Sequence, residues 1–240
     1  MKEYPKSDTL VRTKDYDSFP DGMLDEIERF LVTDSHYLDV FTTARFFPLQ
    51  RKNELKAMLS IASLVKPKVV YEIGADKGGS LYCWCKFSPS VERVIACEVR
   101  GTPYKKLFER AFPKIDFLWI EESSFREETV DLVSGWLGDD SIDCLFIDGD
   151  KSNFLTDFEQ YIPMVSPFGI VFMHDIQDEH PGRDYQSVVR KGYKTVRLID
   201  TTESVELVLS DKEPKDSYES WLLTWYGRSA GVGVIFNAKL

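Results

Sequence analysis

Apolar and polar residues alternate in two different rhythms along this chain. Before residue 66 the apolar positions recur at helical spacing. Met23, Leu24, Ile27, Phe30 and Leu31 of "DGMLDEIERFL" can share one face, and "RKNELKAMLSIASLV" predicts a second helix that ends before "KPK". From Lys68 onward the pattern changes to short apolar runs: "KVVYEIG", "RVIACEV", "IDFLWIE", "IDCLFIDG" and "GIVFMHD". These predict five buried strands, separated by candidate helices around residues 79–88, 103–112, 125–137 and 151–165. Later, "YKTVRLID" and "GVGVIFNA" can add two strands at one edge, one of them antiparallel. The alternation predicts an α/β, Rossmann-like fold: a mostly parallel seven-stranded sheet with helices on both faces. The chain divides into residues 1–60, a helical extension or lid, and residues 61–240, the sheet domain.

In such a sheet, ligands gather beyond the carboxyl ends of the strands. The polar residues there are Glu72, Glu98, Glu121–Ser124, Asp148–Lys151 and His174–Asp175. One terminal acid is usually a loop residue or a helix cap. Recurrence at successive strand ends is a stronger signal.

Composition narrows the ligand class. The formal net charge of −10 disfavours nucleic acid as a partner. No apolar window approaches the roughly eighteen residues of a membrane span, so no membrane partner is expected. The opening "MKEYPKSDTLVRTKDYDSF" lacks an apolar signal core, which predicts a cytoplasmic protein. Cys83, Cys85, Cys97 and Cys144 form no pair of CxxC motifs and read as reduced core thiols.

The loop "YEIGADKGGS" selects among small ligands. A dinucleotide loop uses GxGxxG, whose second glycine lets the backbone approach pyrophosphate. Asp76 stands at that place and brings a side chain and a negative charge, so NAD fits poorly. S-adenosylmethionine has a cationic ammonium and sulfonium and a ribose diol. Glu72 and Asp76 can assist its cationic end, Gly74 and Gly78 permit close passage, and Glu98 can accept from the ribose hydroxyls.

With these residues in place, the chain resembles class I S-adenosylmethionine-dependent methyltransferases over about residues 60–176. "YEIGADKGGS" is similar to their first motif and "VIACEV" to the ribose-binding one. The GGS ending, with Ser80, resembles the branch of cephalosporin-hydroxylase-like proteins and small-molecule O-methyltransferases. The resemblance implies Glu122 and Ser123 near adenine, with Ser124 an alternative; either serine can equally cap the next helix.

"FIDGDKSNF" resembles the "DADK-N-Y" pattern of catechol- and caffeoyl-coenzyme-A-type O-methyltransferases. That resemblance implies Asp148 beside the transferred methyl group and as a metal ligand, Lys151 as general base, and Asp175 with His174 as further ligands. The ion implied is Mg²⁺ or Mn²⁺, which would orient a substrate hydroxyl and favour its alkoxide. His174 departs from the usual pair, and imidazole suits Mn²⁺, Fe²⁺ or Zn²⁺ better than Mg²⁺. The alternatives stay open: Asp148 and Asp150 as helix caps, Lys151 solvated, or His174 as base of a metal-independent N- or O-methyltransferase. His180 reads as a surface residue of the loop "QDEHPGRDY". Phe46, Phe47, Trp119, Trp221, Trp225 and Tyr226 are candidates for a pocket or for core packing.

The expected activity is methyl transfer to a hydroxyl of a small metabolite, a glycoside or natural-product intermediate. A non-catalytic cofactor-binding or assembly protein, and a homo-oligomer, remain open.

Overall fold

The structure, a computed structural model, describes residues 48, 50, 52–102, 104–198 and 230–239. The predicted helix at 21–31, the segment 201–229 and His36, Phe46, Phe47, Trp221, Trp225 and Tyr226 lie outside them. The first described helix, α1 (Lys52–Val65), ends where Lys66 turns left-handed (φ 51) and Pro67 forbids a further turn. There follow β1 (Val69–Ile73), α2 (Gly79–Phe87), β2 (Arg93–Cys97), α3 (Lys105–Ala111) and β3 (Asp116–Ile120). Next come α4 (Glu127–Leu137), β4 (Ile142–Ile147), α5 (Phe154–Tyr161), β5 (Val165–Met173), α6 (Glu179–Arg190), β6 (Tyr193–Leu198) and β7 (Val232–Lys239).

Among the described residues, seven strands form one sheet in the order β3-β2-β1-β4-β5-β7-β6. The first five are mutually parallel, and β7 runs antiparallel to both of its neighbours, one place in from the edge. Strand alternation divides the core. Val70, Ala96, Phe146 and Phe172 pack under α1, α2 and α3 with Met58, Trp84 and Phe108. Tyr71, Ile95, Leu145 and Val171 pack under α4, α5 and α6 with Val133, Phe158 and Tyr185. Both faces of the central strands β1, β2 and β4 are therefore dry, which is why their sequences read as continuous apolar runs. α1 runs across residues 60–61 and buries Leu55, Met58, Leu59 and Ala62 in the same core.

Register places the functional rim. Ile73 pairs with Cys97 and Ile147, Cys97 with Ile120, and Ile147 with Met173. The next residues, Gly74, Glu98, Asp148 and His174, therefore leave the sheet side by side. Their N–H groups extend the ladder by one step: Gly74 to the Cys97 carbonyl (2.8 Å), Glu98 to Ile120 (2.9 Å), Asp148 to Ile73 (2.9 Å) and His174 to Ile147 (3.0 Å).

Gly74 and Gly78 answer first to the protein's own packing. Gly74 has φ +87, and a Cβ there would lie 2.4 Å from the Asp148 carbonyl oxygen. Gly78, also left-handed, would strike the Phe108 ring at 2.9 Å. Gly74→Ala is expected to destabilise the fold by about 2–4 kcal/mol, through left-handed strain and displacement of the Asp148 loop. Urea unfolding measures it; an unchanged midpoint would show that the two loops do not touch.

The segment "QDEHPGRDY" corrects the sequence reading, because most of it is helix rather than loop. It opens α6 with Pro181 in the first turn, where a missing N–H costs nothing.

Candidate active site

The acid at the end of β2 is already engaged. Glu98 is 7% exposed. Its Oε2 accepts the Asp76 N–H at 3.1 Å, and its Oε1 accepts the Arg100 N–H (3.1 Å) and Nε–H (3.3 Å). Arg100 reaches on to the Asp76 carboxylate, 3.0 Å away. Asp76 thus belongs with Glu98 and Arg100, whereas the sequence had put it with Glu72. Arg100 was not anticipated, although it stands two residues after Glu98. Its forked guanidinium spans both acids.

Glu72 lies under the loop, wholly buried, and accepts a short hydrogen bond from Ser80 in the first turn of α2. Burial pushes its carboxyl up to about 8, against the pull of the Ser80 hydroxyl. At neutral pH it is a protonated acid that braces the loop from below.

After β3, the exposed Glu122 accepts the Ser123 N–H (2.9 Å) and the Arg126 guanidinium (2.8 Å). Ser124 is buried, donates to Asp157 on α5 at 2.6 Å, and its carbonyl accepts the Tyr161 hydroxyl at 2.5 Å. Neither serine side chain caps α4, whose N-cap is Arg126. Ser124 instead ties this loop to α5, a role visible only once the chain has folded.

A dense polar cluster stands at the ends of β4 and β5. His174 Nδ1 is 3.2 Å from both Asp148 Oδ1 and Asp175 Oδ1. Asp148 Oδ2 also accepts from Gln50 Nε2 at 2.6 Å. Behind the ring, Glu54 Oε2 is 3.8 Å from His174 Nε2. The Lys151 ammonium meets Asp175, with Asp178 at 3.8 Å. Asp175 holds a left-handed backbone (φ 54), and its side chain is 3% exposed. Burial opposes a charge on His174, but Asp148 and then Glu54 outweigh it and push the imidazole up to about 9. Burial also opposes ionisation of Asp148, yet His174, Lys151 and Gln50 hold its carboxyl below the ordinary range. Lys151 is lowered by burial, against the pull of Asp148 and Asp178.

The remaining candidates divide. Asp150 folds its own turn, accepting from Ser152 and Asn153. His180 lies on α6 with Nδ1 2.5 Å from Arg183. Trp119 stacks on Phe117 and donates to Glu109, which places it by β3 and α3 rather than in a pocket. The four cysteines are buried free thiols. Gln50, just before α1, and Glu54 within it were missed, because nothing in the spacing of polar residues there marks which will meet a distant strand end.

Residues 71–176 match the family described as "Methyltransferase domain". Over this span the chain is similar to methyltransferases, and its fold is one that they share. Solved structures share the fold at low identity. The O-methyltransferase from Bacillus cereus in complex with S-adenosylhomocysteine is 14% identical, with TM-score 0.57, over 94% of this chain and 96% of that one. TomG from Streptomyces achromogenes, an O-methyltransferase of tomaymycin synthesis solved with S-adenosylmethionine, is 12% identical with TM-score 0.58, over 90% and 96%. A putative caffeoyl-CoA O-methyltransferase from Staphylococcus aureus is 15% identical with TM-score 0.56, over 90% and 97%. No curated protein matches the sequence. The rim described above is the carboxyl end of the parallel strands. Among the described residues, no helix is long and apolar enough to cross a membrane.

Proposed function

We propose that this methyltransferase transfers the methyl group of S-adenosylmethionine to a hydroxyl of a small metabolite. The observation that carries the reading is the convergence of Asp148, His174 and Asp175 beside Lys151, at the carboxyl-end rim of the sheet. In the reaction, the acceptor oxygen attacks the methyl carbon while the carbon–sulfur bond breaks. The cofactor leaves as a neutral thioether, and the hydroxyl proton needs a base. Lys151 suits that role, since burial lowers its ammonium towards the working range. Asp175 and Asp178 would hold it in place. His174 suits it less, because its Nδ1 already faces both Asp148 and Asp175 at 3.2 Å. This geometry favours Lys151 over the metal-independent mechanism with His174 as base.

Two carboxylates and an imidazole whose ligand atoms all lie within 4.8 Å of one another suit a divalent ion. Asp148, His174 and Asp175 would hold Mg²⁺ or Mn²⁺, or a softer ion such as Zn²⁺. Bound there, the ion would supply a charge that favours the acceptor's alkoxide. Glu98 would take the ribose hydroxyls, sharing its oxygens with Asp76 and Arg100. Glu122 and Ser123 would border adenine, and the loop from Gly74 to Ser80 would carry the amino-acid end. The segment before residue 61 would cover the acceptor, consistent with Gln50 and Glu54 reaching Asp148 and His174. The acceptor is expected to be a glycoside or natural-product intermediate in the cytoplasm, not a nucleic acid or a membrane lipid.

The test is S-adenosylhomocysteine formation by purified protein with a panel of hydroxylated metabolites, before and after chelation. Turnover that chelation abolishes and the ion restores supports the reading. Cofactor binding with no transfer to any acceptor would favour a binding protein, and full activity after exhaustive chelation would remove the ion. Glu98→Ala is expected to weaken S-adenosylhomocysteine binding by about 1–3 kcal/mol, as two hydrogen bonds are lost. Calorimetry reads it, and unchanged affinity in a folded variant would remove Glu98 from the site.

A further inference from the structure

We propose that Arg100 sets how strongly the site prefers a ribose to a deoxyribose: its guanidinium holds an acceptor position on Glu98 that one hydroxyl of the cofactor must take. The inference rests on the reading of Glu98 as the ribose-binding acid.

A carboxylate has about four lone-pair directions, two on each oxygen. Among the described residues, three N–H groups fill three of those on Glu98. Its Oε2 accepts the Asp76 N–H at 3.1 Å, and its Oε1 accepts the Arg100 N–H at 3.1 Å and the Arg100 Nε–H at 3.3 Å. On this count one direction is left, on Oε2. A ribose diol brings two O–H donors. One of the three bonds must therefore open before both hydroxyls are met.

The two backbone donors are fixed by the turns that carry them. The Asp76 N–H sits in a turn closed by the Gly78 N–H on the Ala75 carbonyl, at 2.7 Å. Asp76 is left-handed there (φ 42), a conformation that aspartate adopts more readily than most side chains. The Arg100 N–H sits in a second turn, closed by the Gly101 N–H on the Glu98 carbonyl at 2.8 Å. Moving either donor reopens its turn. The Arg100 side chain has no such restraint: it is 65% exposed, and its bond to Glu98 is the longest of the three. Its outer nitrogen already lies 3.0 Å from Asp76 Oδ1, so the guanidinium can leave Glu98 and keep a carboxylate partner. Arg100 is the donor that yields. The second hydroxyl then exchanges one charge-assisted hydrogen bond for another instead of adding one.

Calorimetry with S-adenosylhomocysteine and its 2′-deoxy and 3′-deoxy analogues, on wild type and Arg100→Met, tests the proposal. In the variant, the analogue lacking the hydroxyl that faces Oε1 leaves an acceptor unmet, and should bind about 10–100-fold more weakly than the parent. In wild type Arg100 stays on that oxygen. The same deletion should cost about 3–10-fold less there, the worth of one part-exposed hydrogen bond. The parent should bind the variant more tightly than wild type by that same factor. Any effect of the deletion on sugar pucker is shared by both proteins and cancels in the ratio. A merely structural role for Arg100 would shift all three ligands alike. Equal discrimination in the two folded proteins, for both analogues, overturns the proposal and leaves Glu98 as the ribose acid. Wild type that binds none of the three ligands overturns the cofactor reading, and this proposal with it.

Discussion

Asp148→Asn is expected to lower kcat by roughly 10²–10⁴-fold, the range for losing a group that manages charge or protons in the transition state. Two neighbours set this expectation. Gln50 donates to one carboxylate oxygen at 2.6 Å, and His174 Nδ1 lies 3.2 Å from the other. Asparagine has a single oxygen, so one donor must face an NH₂ group instead. The acceptor-side cluster loses its negative charge and its shape together. S-adenosylhomocysteine affinity should change little, because Glu98, Asp76 and Arg100 stand in the loops after β1 and β2 and none of them bonds to Asp148. Single-turnover rates and calorimetry on the same preparation check both halves. Near-wild-type turnover would move the chemistry away from Asp148, and a matching collapse of cofactor affinity would make its role one of binding.

The sequence made the rim legible for a physical reason. A parallel sheet buried on both faces leaves polar residues only where strands end, so Glu98, Asp148, His174 and Asp175 stood out against apolar runs. Their register then brought them together. What stayed hidden depends on contacts between elements far apart in sequence. Gln50 and Glu54 lie on a segment whose polar residues look solvent-facing by spacing alone, and only packing against β5 turns them inward. Ser124 read equally as a cap or a ligand because its partner, Asp157, is 33 residues away. α6 was hidden by Pro181 and Gly182, residues that usually interrupt helices. Pro181 is spared by its place in the first turn, and Gly182 is needed because a Cβ there would lie 2.6 Å from the Ile176 carbonyl. A punctuation signal was thus a packing requirement.

Glu72 gives the largest expected dependence of stability on pH. Its ordinary value is 4.5 and its folded value about 8, raised first by burial and further by Asp148, with Ser80 and Trp84 pulling the other way. The folded protein therefore keeps a proton that the unfolded chain releases above 4.5. Stability from this group is complete below that pH, declines as pH rises, and is lost once pH passes about 8. At about 1.4 kcal/mol per unit, the full loss is on the order of 5 kcal/mol. Glu72→Gln removes the titration. Its amide oxygen can still accept from Ser80, but its NH₂ places two N–H groups where the protonated acid has one O–H, beside an oxygen with no hydrogen-bond partner among the described residues, and an additional unmet donor costs about 1–3 kcal/mol. The variant should be the less stable protein near pH 5 and the more stable one near pH 9, so the two curves of urea midpoint against pH should cross. Curves that run parallel would mean that Glu72 ionises freely beneath the loop. In that case a carboxylate charge would be available to the cofactor's ammonium after all, and S-adenosylmethionine should bind Glu72→Gln more weakly at every pH.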